Sequence, residues 1–242
     1  MIAFHLILLY TLIPLSFAIM GGIIGFLYRP KPKAFSSLQH FTAGVIIASV
    51  SVELLPKLLG DHAPWLIAEG FVVGVVLMLL LERFSQSLSK AEGKEGLPVG
   101  LIVGTSIDLL IDGILIGIAF FASQLGGLLI AVSLSFCAFV LNLTVSSTLG
   151  QKKSALAIQL LTLFFIPFML PIGALLGWRV VAQFPPSVLI GIIAFSVAAL
   201  LFVGIEELLA EAHETKDTLW VSASFFLGFL IILLFISLEN VS

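Results

Sequence analysis

The stretch "SIDLLIDGILIGIAF", residues 106–120, decides how the chain is interpreted. It belongs to a long apolar run, and it carries two aspartates. Asp108 and Asp112 lie near the middle of residues 98–121, and about 20 apolar residues are enough to cross a bilayer as a helix. A carboxylate at the centre of a spanning helix costs about 2.5–3.5 kcal/mol of insertion free energy. Retaining two acids at that cost indicates a functional site inside the membrane.

Composition extends the membrane interpretation to the whole chain. Of its 242 residues, 60% are hydrophobic and only 10% are charged, whereas a soluble domain carries about 25% charged residues. Short polar or proline-containing breaks separate eight apolar stretches, and none of these breaks is long enough to form another domain. We therefore expect an all-α polytopic membrane protein with a single transmembrane domain over residues 1–242. Its eight helices are predicted at residues 3–28, 37–56, 66–84, 98–121, 127–149, 155–178, 187–209 and 219–238.

The lysine and arginine residues predict the orientation of these helices. Of the 11 in the chain, all but Lys57 and Arg179 fall on one side of the membrane when the eight helices alternate in direction. Lysine and arginine concentrate in the cytoplasmic loops of membrane proteins. Both termini are therefore predicted to lie outside, in a multi-pass protein of the cell membrane.

A short internal similarity links two of the predicted helices. The second helix ends in "SVELLPK", residues 51–57, and the seventh ends in "IEELLAE", residues 205–211. The two helices are predicted to cross the membrane in opposite directions, which is the relation that an inverted repeat produces in secondary transporters. We therefore expect an inverted repeat of helices 1–3 and 6–8, with chance similarity between leucine-rich helix ends as the alternative.

The polar side chains inside the fourth and fifth predicted helices form two pairs with the same spacing. Asp108 and Asp112 are four residues apart, which places both carboxyls on one helix face about 6 Å apart. Asn142 and Ser146 repeat this spacing on the next helix, which a short turn makes an antiparallel neighbour. Carboxylates this close repel each other, and no lysine or arginine lies in the centre of a predicted span to neutralise them. A cation held by these four oxygen-bearing side chains is the simplest resolution.

Other residues in the spans are interpreted structurally. Gly113 and Gly117 are four residues apart and predict a close-packing helix face. Pro167 and Pro171 are expected to distort the sixth helix, because proline removes a backbone donor. Cys137, the only cysteine, is interpreted as a small buried core residue.

Four motifs, taken together, resemble the ZIP family of divalent metal transporters over most of the chain. They are "HFTAGVIIASVSVELLP" (40–56) in the second helix, "DLLIDGILIGIAF" (108–120) in the fourth, "LPIGALLG" (170–177) in the sixth and "GIEELLAEAH" (204–213) in the seventh. The resemblance implies a ZIP-like bundle of eight helices with outside termini. It also implies a transported metal ion and no resident cofactor.

The resemblance assigns the four polar residues as metal ligands and shows where this chain departs from the family. Asp108 stands where the family's fourth-helix histidine falls, and Asp112 keeps the acid of that motif. Asn142 and Ser146 take the positions of the first ligand and the acid of the fifth-helix motif. The implied site is lined by oxygen alone, which shifts its preference from zinc towards harder ions such as manganese and ferrous iron.

Two leucines replace groups that serve a second ion in the family. Leu109 falls on the asparagine of the fourth-helix motif, and Leu170 falls on the glutamate of the sixth-helix motif, so the resemblance implies at most one ion. Polar residues near the ends of the second and seventh helices are expected to line the path of that ion. They are Ser49, Glu53, Glu206, Glu207, Glu211 and His213. For those of the seventh helix, a simple solvated surface is the alternative.

These features predict a ZIP-like secondary transporter that moves a divalent cation (zinc, manganese or iron) by alternating access through a mononuclear site. We expect no enzymatic activity and no nucleic-acid partner. The expected partners are the metal ion and the lipid bilayer. Whether the chain forms a homodimer is left open by the sequence. One alternative is a ZIP-derived protein that binds or regulates without transporting. Another is a proton-coupled carrier of a different solute. An intramembrane aspartyl protease is disfavoured, because its two aspartates come from different helices.

Overall fold

The computed structural model describes residues 2–28, 31–60, 63–90, 97–152, 154–215 and 218–239. Over these residues the regular secondary structure is entirely helical, and eight helices are long and apolar enough to cross a membrane. The prediction of an all-α polytopic membrane protein with eight spanning helices is therefore confirmed.

Five of the eight helices are continuous and three are composite. The continuous ones are α1 (Ile2–Leu27), α3 (Pro64–Lys90), α4 (Val99–Ala122), α5 (Gln124–Gln151) and α8 (Leu219–Glu239). The composite ones are α2 (Pro32–Ser49, π-helical Val50–Leu54, then Leu55–Leu59), α6 (Leu156–Phe165, 3-10 helical Ile166–Phe168, then Met169–Val181) and α7 (Pro186–Phe202, π-helical Val203–Leu209, then Ala210–Ala212). Helix α2 begins at Pro32 instead of the predicted residue 37, because proline is well suited to a first turn, where no backbone donor is needed.

The helices cluster into two compact units. The first unit holds α1, the part of α3 from Val76 onwards, α4, α5 and α6. The second unit holds α2, the part of α3 up to Val75, α7 and α8. The single transmembrane domain expected from the sequence stays a prediction.

In the first unit, α4 and α6 pack through interleaved glycines. A Cβ atom added to Gly113 would collide with the carbonyl oxygen of Leu170, and one added to Gly117 would collide with the next turn of α6. Gly173 and Gly177 on α6 face the backbone of α4 in the same way. The predicted close-packing face is therefore confirmed, and it holds α4 at a fixed rotation about its own axis.

Two further features shape the first unit. Helix α1 lies along α5, where added Cβ atoms on Gly21 and Gly25 would meet the carbonyl oxygens of Phe139 and Leu143. In α6 the α-helix is interrupted by the 3-10 turn that contains Pro167. The predicted distortion of the sixth helix is therefore present.

The second unit is held together by similar close contacts. Helices α2 and α8 meet where Gly44 faces the carbonyl oxygen of Phe225. The Ser224 hydroxyl of α8 donates a hydrogen bond of 2.8 Å to the Ser37 carbonyl of α2. Helix α2 also packs against the π-helical segment of α7.

Both ends of the internal similarity fall in π-helical segments. The segment Val50–Leu54 contains Glu53, and the segment Val203–Leu209 contains Glu206 and Glu207. Single π-helical turns are rare and occur frequently at functional sites. The shared distortion is in keeping with a repeated element, and the inverted repeat of helices 1–3 and 6–8 stays a prediction.

Candidate functional site

The acid pair lies inside α4 of the first unit. Asp112 is only 2% exposed, while Asp108 is partly exposed, and the two carboxyl groups are close enough to interact electrostatically. Within the described part of the chain, no lysine or arginine forms an ion pair with either acid. The charge of the pair is therefore not balanced by a basic side chain of these regions.

The side chain that contacts Asp112 from α5 is Cys137. Its thiol donates a hydrogen bond to the Asp112 carboxyl, and Cys137 is itself buried at 2% exposure. The Asp112 Oδ2 atom is also buried but has no hydrogen-bond partner. Cys137 is buried, as predicted from the sequence, but its contact with Asp112 was not predicted.

Asn142 of α5 is held by two neighbouring helices. Its Nδ2 atom donates hydrogen bonds to the Ala18 carbonyl of α1 at 2.8 Å and to the Leu163 carbonyl of α6 at 3.3 Å. Because a carbonyl oxygen only accepts hydrogen bonds, these contacts fix the orientation of the amide. Gly22 of α1 leaves the necessary space, since an added Cβ would lie 2.7 Å from Nδ2. The Oδ1 atom is consequently left buried and without a partner.

Ser146 lies one turn further along α5 and also carries an unsatisfied oxygen. Hydroxyl groups in helices commonly donate to the carbonyl four residues earlier, as Ser133 and Ser135 do on the same helix. The Ser146 Oγ is buried and makes no hydrogen bond. Leaving such a group unsatisfied costs about 1–3 kcal/mol, so this atom calls for a functional explanation.

The unsatisfied buried oxygens coincide with the predicted ligands. Across the described residues, the buried side-chain atoms without a hydrogen-bond partner are Asp112 Oδ2, Asn142 Oδ1, Ser146 Oγ and Gln39 Nε2. The first three belong to three of the four residues predicted as metal ligands, and all three lie in the first unit. They are oxygen atoms, which accept a cation as readily as a hydrogen bond.

The depth of these side chains follows from the hairpin of α4 and α5 around Ser123, whose side chain accepts a hydrogen bond from the Gly126 amide. At 1.5 Å per residue, Asp112 lies about 16.5 Å, Cys137 about 21 Å, Asp108 about 22.5 Å and Asn142 about 28.5 Å from that turn. The structure thus places Asp108 and Cys137 each beside Asp112 and directs the Asn142 amide nitrogen to α1 and α6. No three His, Cys, Asp or Glu side chains of the described residues form a group that holds a metal ion, and the four-ligand shell stays a prediction.

The predicted path residues lie in the second unit. Ser49 is fully buried in α2, and Glu53 accepts a hydrogen bond in an ion pair with Lys57, one turn away. Glu206 is exposed and Glu207 is partly buried, both in the π-helical segment of α7. These residues are therefore placed in the distorted parts of α2 and α7, and their role stays a prediction.

The last turn of α7 meets α2 through two histidines. The rings of His213 and His40 pack edge to face with their centroids 5.0 Å apart. Glu211 lies on the same turn, close to the buried Gln39. The sequence-based path set omitted His40 and Gln39, because nothing in the spacing along α2 indicates that its first turns contact the end of α7.

The eight spanning helices, with a buried acid and unsatisfied oxygens in the first unit, agree with the ZIP-like polytopic bundle predicted from the motifs. Two curated zinc transporters named ZupT are similar to the chain over most of its length. The one from Streptococcus mutans is 25% identical over 81% of this chain and 83% of the relative. The one from Corynebacterium aurimucosum is 25% identical over 89% of this chain and 88% of the relative.

No protein-family model matches the chain. The similarity to the two zinc transporters nevertheless agrees with the four motifs and with the eight helices. The chain is thus similar over most of its length to two zinc transporters, as a distant relative, in agreement with its resemblance to the ZIP family.

Proposed function

We propose that the chain is a secondary transporter of a divalent metal cation, with zinc as the first candidate because both relatives are named zinc transporters. The observation that carries the proposal is the set of buried oxygens without partners in the first unit, on Asp112, Asn142 and Ser146. Buried polar atoms are almost always hydrogen-bonded in folded proteins. A cation that binds at Asp112 and moves along α5 past Asn142 and Ser146 accounts for all three exceptions, which stand at predicted ligand positions.

Each side chain has a distinct role in the proposed site. Asp112 supplies the central charged ligand, and Asp108 supplies the second charge. A dication between the carboxyls replaces their mutual repulsion with two attractions. Asn142 offers its oxygen, because its nitrogen is engaged by the carbonyls of α1 and α6. Ser146, whose Cα lies about 18 Å further from the hairpin turn than that of Asp112, offers its hydroxyl to the same ion as it moves along α5.

The two buried leucines restrict the proposal to a single ion. Leu109 and Leu170 are both fully buried, and neither offers a donor atom where the family places ligands for a second ion. The ion enters and leaves by alternating access, past Ser49 and Glu53 in α2 and past acids near the end of α7. Those acids are Glu206, Glu207 and Glu211, followed by His213.

The experiment is metal uptake into proteoliposomes containing the purified full-length chain. We expect zinc uptake by the wild type and uptake at background level for Asp112→Asn, which keeps the size of the side chain but removes its charge. The matched control is Glu82→Gln, since Glu82 is a partly exposed acid of α3 that accepts a hydrogen bond from Gln86. Wild-type rates in Asp112→Asn would overturn the site assignment.

A proton-coupled carrier of another solute is the second candidate, and the absence of a basic partner for Asp108 and Asp112 within the described residues favours it. The two candidates differ in what the vesicles respond to. A metal transporter takes up zinc in proportion to the metal gradient, whereas a proton-coupled carrier moves protons into the vesicle lumen together with its own solute and without added metal. If neither zinc uptake nor acidification of the lumen is observed, although the purified protein binds metal, the non-transporting alternative is supported instead.

The proposed orientation, with both termini outside, has its own test. In a Cys137→Ala background, a cysteine at Gln183 should react with an impermeant maleimide added outside intact cells. A cysteine at Gln86 should react only after the membrane is opened. Gln86 lies near the end of α3, and Gln183 lies just beyond the end of α6. Labelling of both from outside would contradict the eight-helix orientation.

A further inference from the structure

We propose that Cys137 is a sulfur ligand of the transported ion and that it gives the site a preference for zinc and cadmium over manganese. This inference rests on the proposed function, because it adds a ligand and a selectivity to that same site. The sequence alone predicts a site lined only by oxygen, with the opposite selectivity.

The first support is the contact between the thiol and the acid. The Cys137 thiol donates a hydrogen bond to the Asp112 carboxyl, and the same carboxyl keeps its Oδ2 buried and without a partner. The thiol is thus not packed only against hydrocarbon, as an ordinary core cysteine would be. It lies beside a buried atom that is available for a cation.

The second support is the position of Cys137 along the helix hairpin. Cys137 lies at the depth of Asp108, and it is separated from Asn142 by about 140° around α5 and about 7.5 Å along it. Cys137 contacts Asp112 from α5, whereas the Asn142 amide nitrogen is directed to α1 and α6. An ion centred on Asp112 reaches the sulfur before it reaches the amide oxygen.

The chemistry follows from the state of the thiol. When a metal ion binds, the thiol releases its proton and the thiolate coordinates the ion, while Asp112 contributes its carboxylate. Since no three acids, cysteines or histidines of the described residues hold an ion as they stand, the Asp108 carboxylate turns towards the other two ligands on binding. Thiolate ligands favour zinc and related soft ions, whereas manganese prefers oxygen.

The test uses the fact that Cys137 is the only cysteine of the chain. Purified full-length protein is titrated with Cd²⁺ and Co²⁺, and the thiolate-to-metal charge-transfer absorption is recorded. We expect the band in the wild type and its loss in Cys137→Ser and Cys137→Ala. The control is Ser135→Ala, a buried neighbour on α5 bonded to the Ala131 carbonyl, which should keep the band.

A ratio of affinities separates a ligand from a hydrogen-bond donor. Serine keeps a donor for Asp112 but loses the sulfur, so Cys137→Ser should lower the zinc-to-manganese affinity ratio by about tenfold or more. An unchanged ratio in Cys137→Ser would overturn the inference, because serine would then replace every function of the thiol. Metal bound by the wild type without the charge-transfer band also overturns it and leaves the proposed function standing. No metal bound by the wild type would overturn both.

Discussion

Asp112 in the first unit and Glu53 in the second are both acids inside long apolar helices, but their surroundings differ. Glu53 forms an ion pair with Lys57 on the next turn of its own helix. Asp112 has no such cation, is 2% exposed and keeps one carboxyl oxygen without a partner. The comparison teaches that an acid inside a spanning helix indicates a cation site only when its charge is not already balanced locally.

The same contrast holds for the neutral polar residues. The serines and threonines that donate to carbonyls of their own helix, such as Thr144 to Val140 at 2.9 Å, are satisfied by local structure. Ser146 has the same opportunity on the same helix and does not use it. Unsatisfied buried oxygens therefore distinguish Asp112, Asn142 and Ser146 from the hydroxyl residues that are bonded within their own helices.

A strong test of this contrast changes the orientation of the Asn142 side chain through a neighbouring residue, without substituting Asn142 itself. Gly22→Ala places a methyl group against the Asn142 amide and the Leu163 side chain, so the amide oxygen moves away from its present direction. We expect zinc uptake to fall about tenfold, the effect typical of disturbing a supporting residue at a metal site.

The control for Gly22→Ala is Gly150→Ala, because a Cβ there meets only Gln159 Oε1, at 4.0 Å. It should leave uptake unchanged. If Gly22→Ala transports zinc at the wild-type rate, Asn142 contributes no ligand and its unsatisfied oxygen is structural.

A smaller effect is expected from Asp108→His, which restores the histidine of the family motif at this position. Imidazole nitrogen favours zinc over manganese, so the zinc-to-manganese affinity ratio should rise severalfold above that of the wild type. Equilibrium binding of both metals to purified protein measures the ratio. A ratio equal to that of the wild type would place Asp108 outside the coordination shell.

The smallest effects are on stability, and they should have opposite signs at the two acids. Asp112→Asn removes a buried charge without a full set of partners, a group that costs about 1–3 kcal/mol, so the metal-free protein should melt at a higher temperature. Lys57→Met removes one partner of an i, i+4 ion pair, worth about 0.2–0.5 kcal/mol, and should lower the melting temperature slightly.

Thermal unfolding of both variants in detergent, without metal, measures this difference. A shift of roughly 2–4 °C per kcal/mol is expected for a chain of this size. Destabilisation by Asp112→Asn comparable to that of a core substitution would mean that Asp112 is a structural residue.

Hydropathy and spacing along the chain were sufficient to predict the eight helices, the close-packing face at Gly113 and Gly117, and the acid pair on one face of α4. These features are local. In lipid every backbone polar group must be satisfied within the segment, so a long apolar run forms a helix whatever surrounds it. The 3.6-residue period then assigns side chains to faces.

The availability of each ligand atom was decided by contacts between helices. The Asn142 amide is oriented by Ala18, which is 124 residues away in the chain, and Cys137 meets Asp112 only because α4 and α5 pack with a particular rotation. Helical periodicity gives the angle between residues of one helix but not the rotation of that helix against its neighbour. That rotation is set by the packing of small residues such as Gly22 and Gly113, and it determines which buried oxygens are left without a hydrogen-bond partner.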